Sequence, residues 1–144
     1  MRLVQRVHTV ASPAQVWALL AMPSSWPQFD LLFRSLGDAR RPAAPGQHLM
    51  GTTRFGLVRL PVDIVETVEG RRLVLVVHTA PGVREQVAYD LTEAEGGGCD
   101  VQISLTVDGL FAPFAVLPLF LSGGVTVRLL AARADRAARG PGAA

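Results

Sequence analysis

Hydrophobic and polar residues alternate along most of this chain, and the alternation gives way to a helical spacing only near its end. The clearest case is residues 100–108, where Val101, Ile103, Leu105 and Val107 alternate with polar residues. A period of two predicts a β-strand with one buried face and one solvated face. Comparable stretches predict six more strands, at residues 2–10, 31–36, 51–57, 60–69, 72–79 and 83–92.

Short turns join the later strands. Glu69-Gly70, Pro81-Gly82 and Gly96-Gly97-Gly98 each fall between two of them. Short connections require antiparallel pairing, because parallel strands need a long crossover. We therefore expect one antiparallel sheet whose dry face another element must cover.

Two short helices are predicted between the first strand and the second. Ser12 is a good N-cap, Pro13 suits the first helical position, and Gln15 completes a capping box. Pro23 ends this helix, because proline lacks the backbone donor that the helix needs. A second short helix follows, with Trp26 as its apolar anchor.

The stretch GLFAPFAVLPLFLSGGVTV, residues 109–127, contains no charged residue. Its length is about that of a membrane-spanning helix, but Pro118 and Gly123-Gly124 would break a lone helix in lipid. From about Val125 the sequence becomes amphipathic. We therefore expect no stable membrane insertion. The sequence instead predicts a long C-terminal helix that covers the sheet and is kinked or interrupted between residues 118 and 124.

Composition narrows the classes of function. All fourteen basic residues are arginine, which excludes a lysine nucleophile or a lysine Schiff base. The arginines are scattered and the net charge is only +2, so nucleic-acid binding is not expected. A single cysteine permits no internal disulfide, and the N-terminus reads as a strand and not as a signal peptide. These features predict a cytoplasmic protein.

The chain is long enough for one domain with a sizeable core. It has 144 residues, of which 49% are hydrophobic and 18% are charged. The apolar surplus indicates either that an apolar surface beyond an ordinary core needs covering or that a cavity needs lining. We expect a single domain over residues 1–139 and a flexible tail over residues 140–144.

The segment ASPAQVWALLAMPSSWPQFD resembles the opening signature of the START/Bet v1-like (SRPBCC) superfamily, especially its bacterial polyketide cyclase/dehydrase-like members. GTTRF, VETVEGRRLVL and YDLTEAEGGGCDVQISLTVDG follow in the expected order, and the resemblance extends to about Ala138. It implies an α+β helix-grip fold. In this fold a curved antiparallel sheet of about seven strands surrounds a long C-terminal helix, and two short helices follow strand 1. It also implies a hydrophobic cavity between the sheet and the helix.

The resemblance leaves three functions open. The first is binding of a hydrophobic small molecule, polyketide-, lipid- or quinone-like, by a carrier, sensor or sequestering protein. The second is a polyketide cyclase/dehydratase-type enzyme that uses the same cavity. The third is a protein-interaction domain of the chaperone-activator kind, which the low charge of this chain disfavours. An apolar small-molecule ligand, no cofactor, and a monomer or homodimer are expected.

Three residues are candidates for chemistry. Alternation places Glu85 on the same face as Tyr89, and a carboxyl group in an apolar cavity would have a raised pKa suited to acid/base work. A strand bulge, or pairing with Arg54 or Arg84, is the alternative for Glu85. Tyr89 would donate a hydrogen bond to a ligand carbonyl or serve as a core tyrosine. His78 points into the cavity or to solvent, depending on the register.

A second set of residues is expected to line the cavity, because core and cavity wall are largely one surface in this fold. We predict that Phe114, Leu117 and Leu121 face the cavity and that the interruption at residues 118–124 forms part of its entrance. The full set of predicted ligand-binding residues is Trp26, Phe29, Phe33, Phe55, Leu75, Val77, Val87, Phe114, Leu117 and Leu121.

The three histidines of the chain are dispersed along the sequence, so no metal site is expected.

Overall fold

The architecture is taken from a computed structural model of the chain. It describes residues 2–30, 33–37, 41–54, 58–80, 82–109 and 112–140, with side chains described for all of these except residues 80 and 112–123. Residues 141–144 of the expected tail therefore lie outside the described part.

Seven strands, two α-helices and one 3₁₀ helix make up the described part of the chain. In chain order they are β1 (Arg2–Thr9), α1 (Pro13–Leu20), the 3₁₀ helix (Pro23–Gln28), β2 (Phe33–Gly37), β3 (His48–Thr53), β4 (Arg59–Val68), β5 (Arg72–Ala80), β6 (Val83–Glu93), β7 (Cys99–Asp108) and α2 (Ala112–Arg139).

The strands form one antiparallel sheet in the order β1-β7-β6-β5-β4-β3-β2. Strands β2 to β7 are a meander, and β1 pairs with β7, so that Arg2 lies opposite Thr106 and Thr9 opposite Cys99. The expected helix-grip architecture, with its seven strands and short helices after β1, is confirmed. The bounds of β3 differ from the prediction: it begins at His48, because His48 pairs with Asp63 of β4.

The predicted helix start is present in atomic detail. The Ser12 hydroxyl accepts a hydrogen bond from the Gln15 backbone N–H over 3.2 Å, and the Gln15 side chain accepts one from the Ser12 N–H over 2.9 Å. This reciprocal capping box fixes where α1 begins. The 3₁₀ helix is tied to α1, because the Trp26 indole N–H donates to the Leu20 carbonyl over 2.9 Å.

Helix α2 covers the inner face of the sheet with its C-terminal half. Val127, Leu130 and Ala134 are buried in the same core as the sheet. The helix is continuous from Ala112 to Arg139, so the predicted interruption between residues 118 and 124 is wrong, while the alternative, a kink there, stays a prediction. The side chains of residues 112–123, including the two prolines, lie outside the described part.

The second glycine of the Gly123-Gly124 pair has a packing role. A Cβ at Gly124 would lie 2.7 Å from Oε1 and 2.8 Å from Nε2 of Gln5, a residue of β1. Real Cβ atoms essentially never approach other atoms this closely. Gly124 therefore allows the Gln5 amide to lie directly against the helix, and no break in the helix is needed to account for it.

The far end of α2 is fastened to the end of β1. Asp135 accepts hydrogen bonds from the hydroxyl of Thr9 over 2.5 Å and from the backbone N–H of Val10 over 2.9 Å. Thr9 is almost fully buried and also accepts a bond from the Ala11 N–H. Charge-assisted hydrogen bonds of this kind are stronger than neutral ones. They fix the helix against the sheet at its C-terminal end.

Within the part of the chain that the structure describes, no helix is long and apolar enough to cross a membrane.

Candidate functional site

The inner face of β6 carries one carboxyl group among apolar side chains. Glu85 is only 6% exposed, and its neighbours on the same face, Val83 and Val87, are equally buried. Its partners on the adjoining strands are Val77 of β5 and Val107 of β7, each 2% exposed. The side-chain alternation of β6 is thus regular through Glu85, and no bulge turns the residue to solvent.

The Glu85 carboxyl group has an unsatisfied oxygen. Its Oε2 atom is buried and makes no hydrogen bond to any described residue. Burial, and to a lesser degree the nearby charge of Asp30, raise the pKa of Glu85 from 4.5 to about 8. At pH 7 the group is therefore mostly neutral and can donate a hydrogen bond.

Neither arginine considered as a partner reaches Glu85. Arg84 is exposed on the opposite face of β6. The Arg54 guanidinium donates to the backbone carbonyl of Pro27 over 2.5 Å and to that of Asp30 over 3.4 Å. Arg54 thus holds the segment after the 3₁₀ helix near the end of β3, and the carboxyl of Glu85 remains in an apolar environment.

Asp30 is a member of the site that the sequence interpretation missed. It is half-buried between the 3₁₀ helix and β2 and lies close enough to Glu85 and Tyr89 to raise the pKa of both. The available signal was its position directly after the apolar segment Trp26–Phe29, which places a carboxylate at the edge of a buried cluster.

Tyr89 lies four residues after Glu85, on the same strand face with Val87 between them. It is 3% exposed, and burial, followed by the charges of Asp30 and Glu85, holds the pKa of its phenol well above 10.0. The phenol is therefore neutral throughout the physiological range. Glu85 and Tyr89 give this apolar face two neutral hydrogen-bonding groups, with the Asp30 charge nearby.

The predicted apolar wall falls into two groups. Six of its members are buried in one core cluster with Tyr89: Trp26, Phe29, Phe33, Leu75, Val77 and Val87. The ring of Phe33 occupies the space that a Cβ at Gly51 would need, so the glycine in β3 permits this packing. The side chains of Phe55, Phe114, Leu117 and Leu121 lie outside the described part.

His78 is not brought to Glu85 and Tyr89. Its Nε2 lies 3.2 Å from Oδ2 of Asp63, and the Nδ1 of His48 lies 2.5 Å from the other carboxylate oxygen. All three side chains are on the outer, solvated side of the sheet, where His78 is 43% exposed. Val77, the preceding residue, faces the core opposite Glu85, so the alternation of β5 turns His78 to the opposite face.

The two histidines lower the pKa of Asp63 below its usual 3.8, the hydrogen bond from His48 being the largest cause. The cluster was missed because the sequence does not give the register that places His48 and His78 beside Asp63. Over the described residues, no group of three or more potential ligands has the geometry of a metal site.

Comparison with known proteins now adds to this geometry. Residues 1–140 match the model of a family described as polyketide cyclase / dehydrase and lipid transport. The chain belongs to this family. The resemblance noted from the sequence is thereby confirmed, and the family supports a ligand-binding function without specifying a ligand. A search of curated proteins gives no match.

Several solved structures with the same fold match nearly the whole of this chain. Protein MLL2253 from Mesorhizobium loti is 16% identical, with a TM-score of 0.78 over 94% of this chain and 98% of that one. A Thermobifida fusca protein is 22% identical, with a TM-score of 0.70 over 94% and 93%. DynU16, from the dynemicin biosynthetic locus, is 18% identical, with a TM-score of 0.72. The match includes 94% of this chain but only 48% of the DynU16 chain. At these identities the likeness shows the fold alone.

Proposed function

We propose that this family member binds an apolar small molecule, polyketide-, lipid- or quinone-like, against the inner face of the sheet, as a carrier, sensor or sequestering protein. The observation that carries the proposal is the buried, unsatisfied carboxyl of Glu85. Leaving a buried polar group unpaired costs about 1–3 kcal/mol. Such a cost is reasonable where a ligand supplies the missing partner.

The protonation of the site restricts the ligand. A neutral Glu85 donates a hydrogen bond, so the ligand should present an acceptor such as a carbonyl oxygen. The nearby charge of Asp30 disfavours an anionic ligand, because like charges repel strongly where water is excluded. The apolar side chains around Glu85, including Val77 and Val87, suit an uncharged hydrocarbon framework.

The binding proposal is tested with an uncharged naphthoquinone as probe, measured by equilibrium dialysis. Glu85→Leu should weaken binding about tenfold, because an apolar side chain cannot donate a hydrogen bond to the ligand. Glu85→Gln keeps a donor and should stay within about threefold of the wild type. The matched control is Glu93→Gln, an exposed glutamate on the same strand.

The pH dependence provides a second readout. Wild-type affinity should fall as the pH rises through about 8, where Glu85 loses its proton, and Glu85→Gln should remove this dependence. Equal affinity in all variants at every pH would contradict the role of Glu85. Native mass spectrometry of the purified protein should show a co-purified apolar ligand.

A second candidate function is catalysis by the same groups. A carboxyl with a pKa of about 8 is suited to general acid/base catalysis near neutral pH, and in this candidate function the neutral phenol of Tyr89 would donate to a developing oxyanion. An enzyme of the cyclase or dehydratase type would lose turnover of a poly-ketone substrate in Glu85→Gln while still binding it. Unchanged turnover in Glu85→Gln and in Tyr89→Phe would contradict this candidate.

A further inference from the structure

Positive charge collects at one end of the sheet. We call this end the rim; there β1, β2, β4 and β6 begin and β3, β5 and β7 end. Its described and exposed arginines come from five different segments of the chain. They are Arg2, Arg34, Arg54, Arg59 and Arg84.

Few carboxylates balance these arginines. Among the described residues of the rim, Asp108 is the only exposed acid, and it lies opposite Arg84 in the register of β6 and β7. Asp30 is half-buried and Glu85 is buried with a neutral carboxyl at pH 7. The other exposed acids of the described strands and turns lie at the opposite end of the sheet. They are Glu66, Glu69, Glu93, Glu95 and Asp100.

The rim also presents a groove with both apolar and hydrogen-bonding walls. Its volume is about 600 Å³, and Val58, Arg59, Pro61, His78 and Thr79 are among its lining residues. Val58 is 51% exposed. The Thr79 hydroxyl is buried and makes no hydrogen bond to any described residue.

We propose that the rim docks onto the surface of an anionic phospholipid membrane, with a lipid phosphate held in the groove by Arg59 and Thr79 and with Val58 inserted among the headgroups. The inference rests in part on the proposed function, because an apolar ligand partitions into membranes. The charged surface of the rim does not depend on the ligand, so an experiment can contradict the docking proposal without contradicting the ligand-binding proposal, and the reverse.

The chemistry of the rim fits this partner. A guanidinium forms paired hydrogen bonds with phosphate oxygens, and a threonine hydroxyl donates a further one. Each arginine near an anionic membrane surface contributes about 1 kcal/mol of attraction, which falls off within a Debye length. The exposed arginines of this end come from five segments of the chain, more than a single small anion would require.

The test is flotation of the purified chain with lipid vesicles. The protein should bind vesicles of phosphatidylcholine mixed one to one with phosphatidylglycerol and should not bind vesicles of phosphatidylcholine alone. Arg59→Gln with Arg84→Gln should weaken binding roughly twentyfold, about fivefold for each arginine. Added salt should weaken wild-type binding strongly.

The matched control is Arg71→Gln with Arg133→Gln. Both arginines are exposed, the double change alters the net charge equally, and neither residue belongs to the rim. The control pair should bind anionic vesicles within about twofold of the wild type. Thr79→Val, which keeps the shape of the side chain, should weaken binding about threefold because the donor to phosphate is lost.

Several results would overturn the proposal. An equal loss in the rim and control pairs would show that net charge alone acts. Displacement from vesicles by inorganic phosphate would assign the groove to the free ion. Binding to polyglutamate without binding to anionic vesicles would assign the rim to an acidic protein. Naphthoquinone affinity should be unchanged in the rim pair, so a failure of ligand binding and a failure of docking are distinguishable.

Discussion

Two carboxylates of this molecule lie in contrasting environments. At the C-terminal end of α2, Asp135 accepts hydrogen bonds from the Thr9 hydroxyl and the Val10 N–H. On the inner face of β6, Glu85 is buried more deeply, and its Oε2 has no described partner. The first carboxylate is satisfied by the chain and fastens two elements together. The second has an oxygen with no partner among the described residues, and the proposed ligand contact rests on that oxygen.

The largest expected effect concerns Glu85, whose ionisation should make the stability of the fold depend on pH. The unfolded chain ionises Glu85 at about pH 4.5, whereas the folded protein retains the proton up to about pH 8. The free energy of unfolding therefore falls as the pH rises from 4.5 to 8. Glu85→Gln removes this slope and should be more stable than the wild type by roughly 4 kcal/mol at pH 8.

Urea unfolding of both proteins at several pH values measures this difference. Glu93→Gln, an exposed change on the same strand, is the control and should retain the wild-type slope. Parallel pH profiles for the wild type and Glu85→Gln would show that Glu85 has an ordinary pKa and that the contrast with Asp135 does not exist.

Asp135→Ala should have the next largest effect, in the opposite direction. It removes the acceptor shared by Thr9 and Val10 and leaves a buried hydroxyl and an N–H unpaired, at a cost of about 2–3 kcal/mol. Thermal unfolding with Arg136→Ala, an exposed neighbour, as control measures this cost. In a double-mutant cycle, Thr9→Val should add little to Asp135→Ala. Full additivity would contradict the shared hydrogen bond.

Gly124→Ala tests how closely α2 packs against the Gln5 side chain of β1. Alanine favours a helix by about 1 kcal/mol over glycine, but its Cβ would collide with the Gln5 amide. The Gln5 amide is the end of a flexible side chain and can move aside at a modest cost, so the gain in the wild type should be less than about 1 kcal/mol. In a Gln5→Ala background the collision is gone, and Gly124→Ala should stabilise the protein by about 1 kcal/mol. An equal effect in both backgrounds, measured by chemical denaturation, would contradict the close approach.

The smallest effect is expected at Asp63, on the outer face. His48 and His78 lower its pKa, so its stabilising contribution is present above pH 3.8 and is lost as the pH falls further. The side chain is 35% exposed, so solvent screens these pairs, and Asp63→Asn should cost less than about 1 kcal/mol at pH 6. High salt should shrink the difference, and a salt-independent loss would indicate a packing effect instead.

Sequence patterns predicted those features that depend on local spacing. The alternation of β6 and β7 and the Ser12–Gln15 capping box need only a few neighbouring residues. The predicted interruption of α2 failed because Gly124 is explained by Gln5, which is distant in sequence. A glycine in a helical pattern indicates either a weak point or a close approach, and only the fold distinguishes them.

The candidate site was predictable to a similar extent. Glu85 and Tyr89 share a face by simple alternation. His78 faces outward by the alternation of β5, but its contact with Asp63 depends on how β4 pairs with β5, and the charge of Asp30 reaches the site only through the packing of the 3₁₀ helix. Local pattern thus identifies the strand face, whereas neighbouring elements decide which polar groups act on it.

The pairing of β1 with β7 has a consequence for how the protein is made. Strands β2 to β7 pair with their neighbours in sequence and can form as the chain leaves the ribosome. Thr9 of β1 must wait for Cys99 to emerge, and the contact with Asp135 forms later still. Until then β7 has an unpaired edge, which is open to pairing with other chains. Closing so long a loop is slow, so the joining of the first strand to the last helix should be the late step of folding.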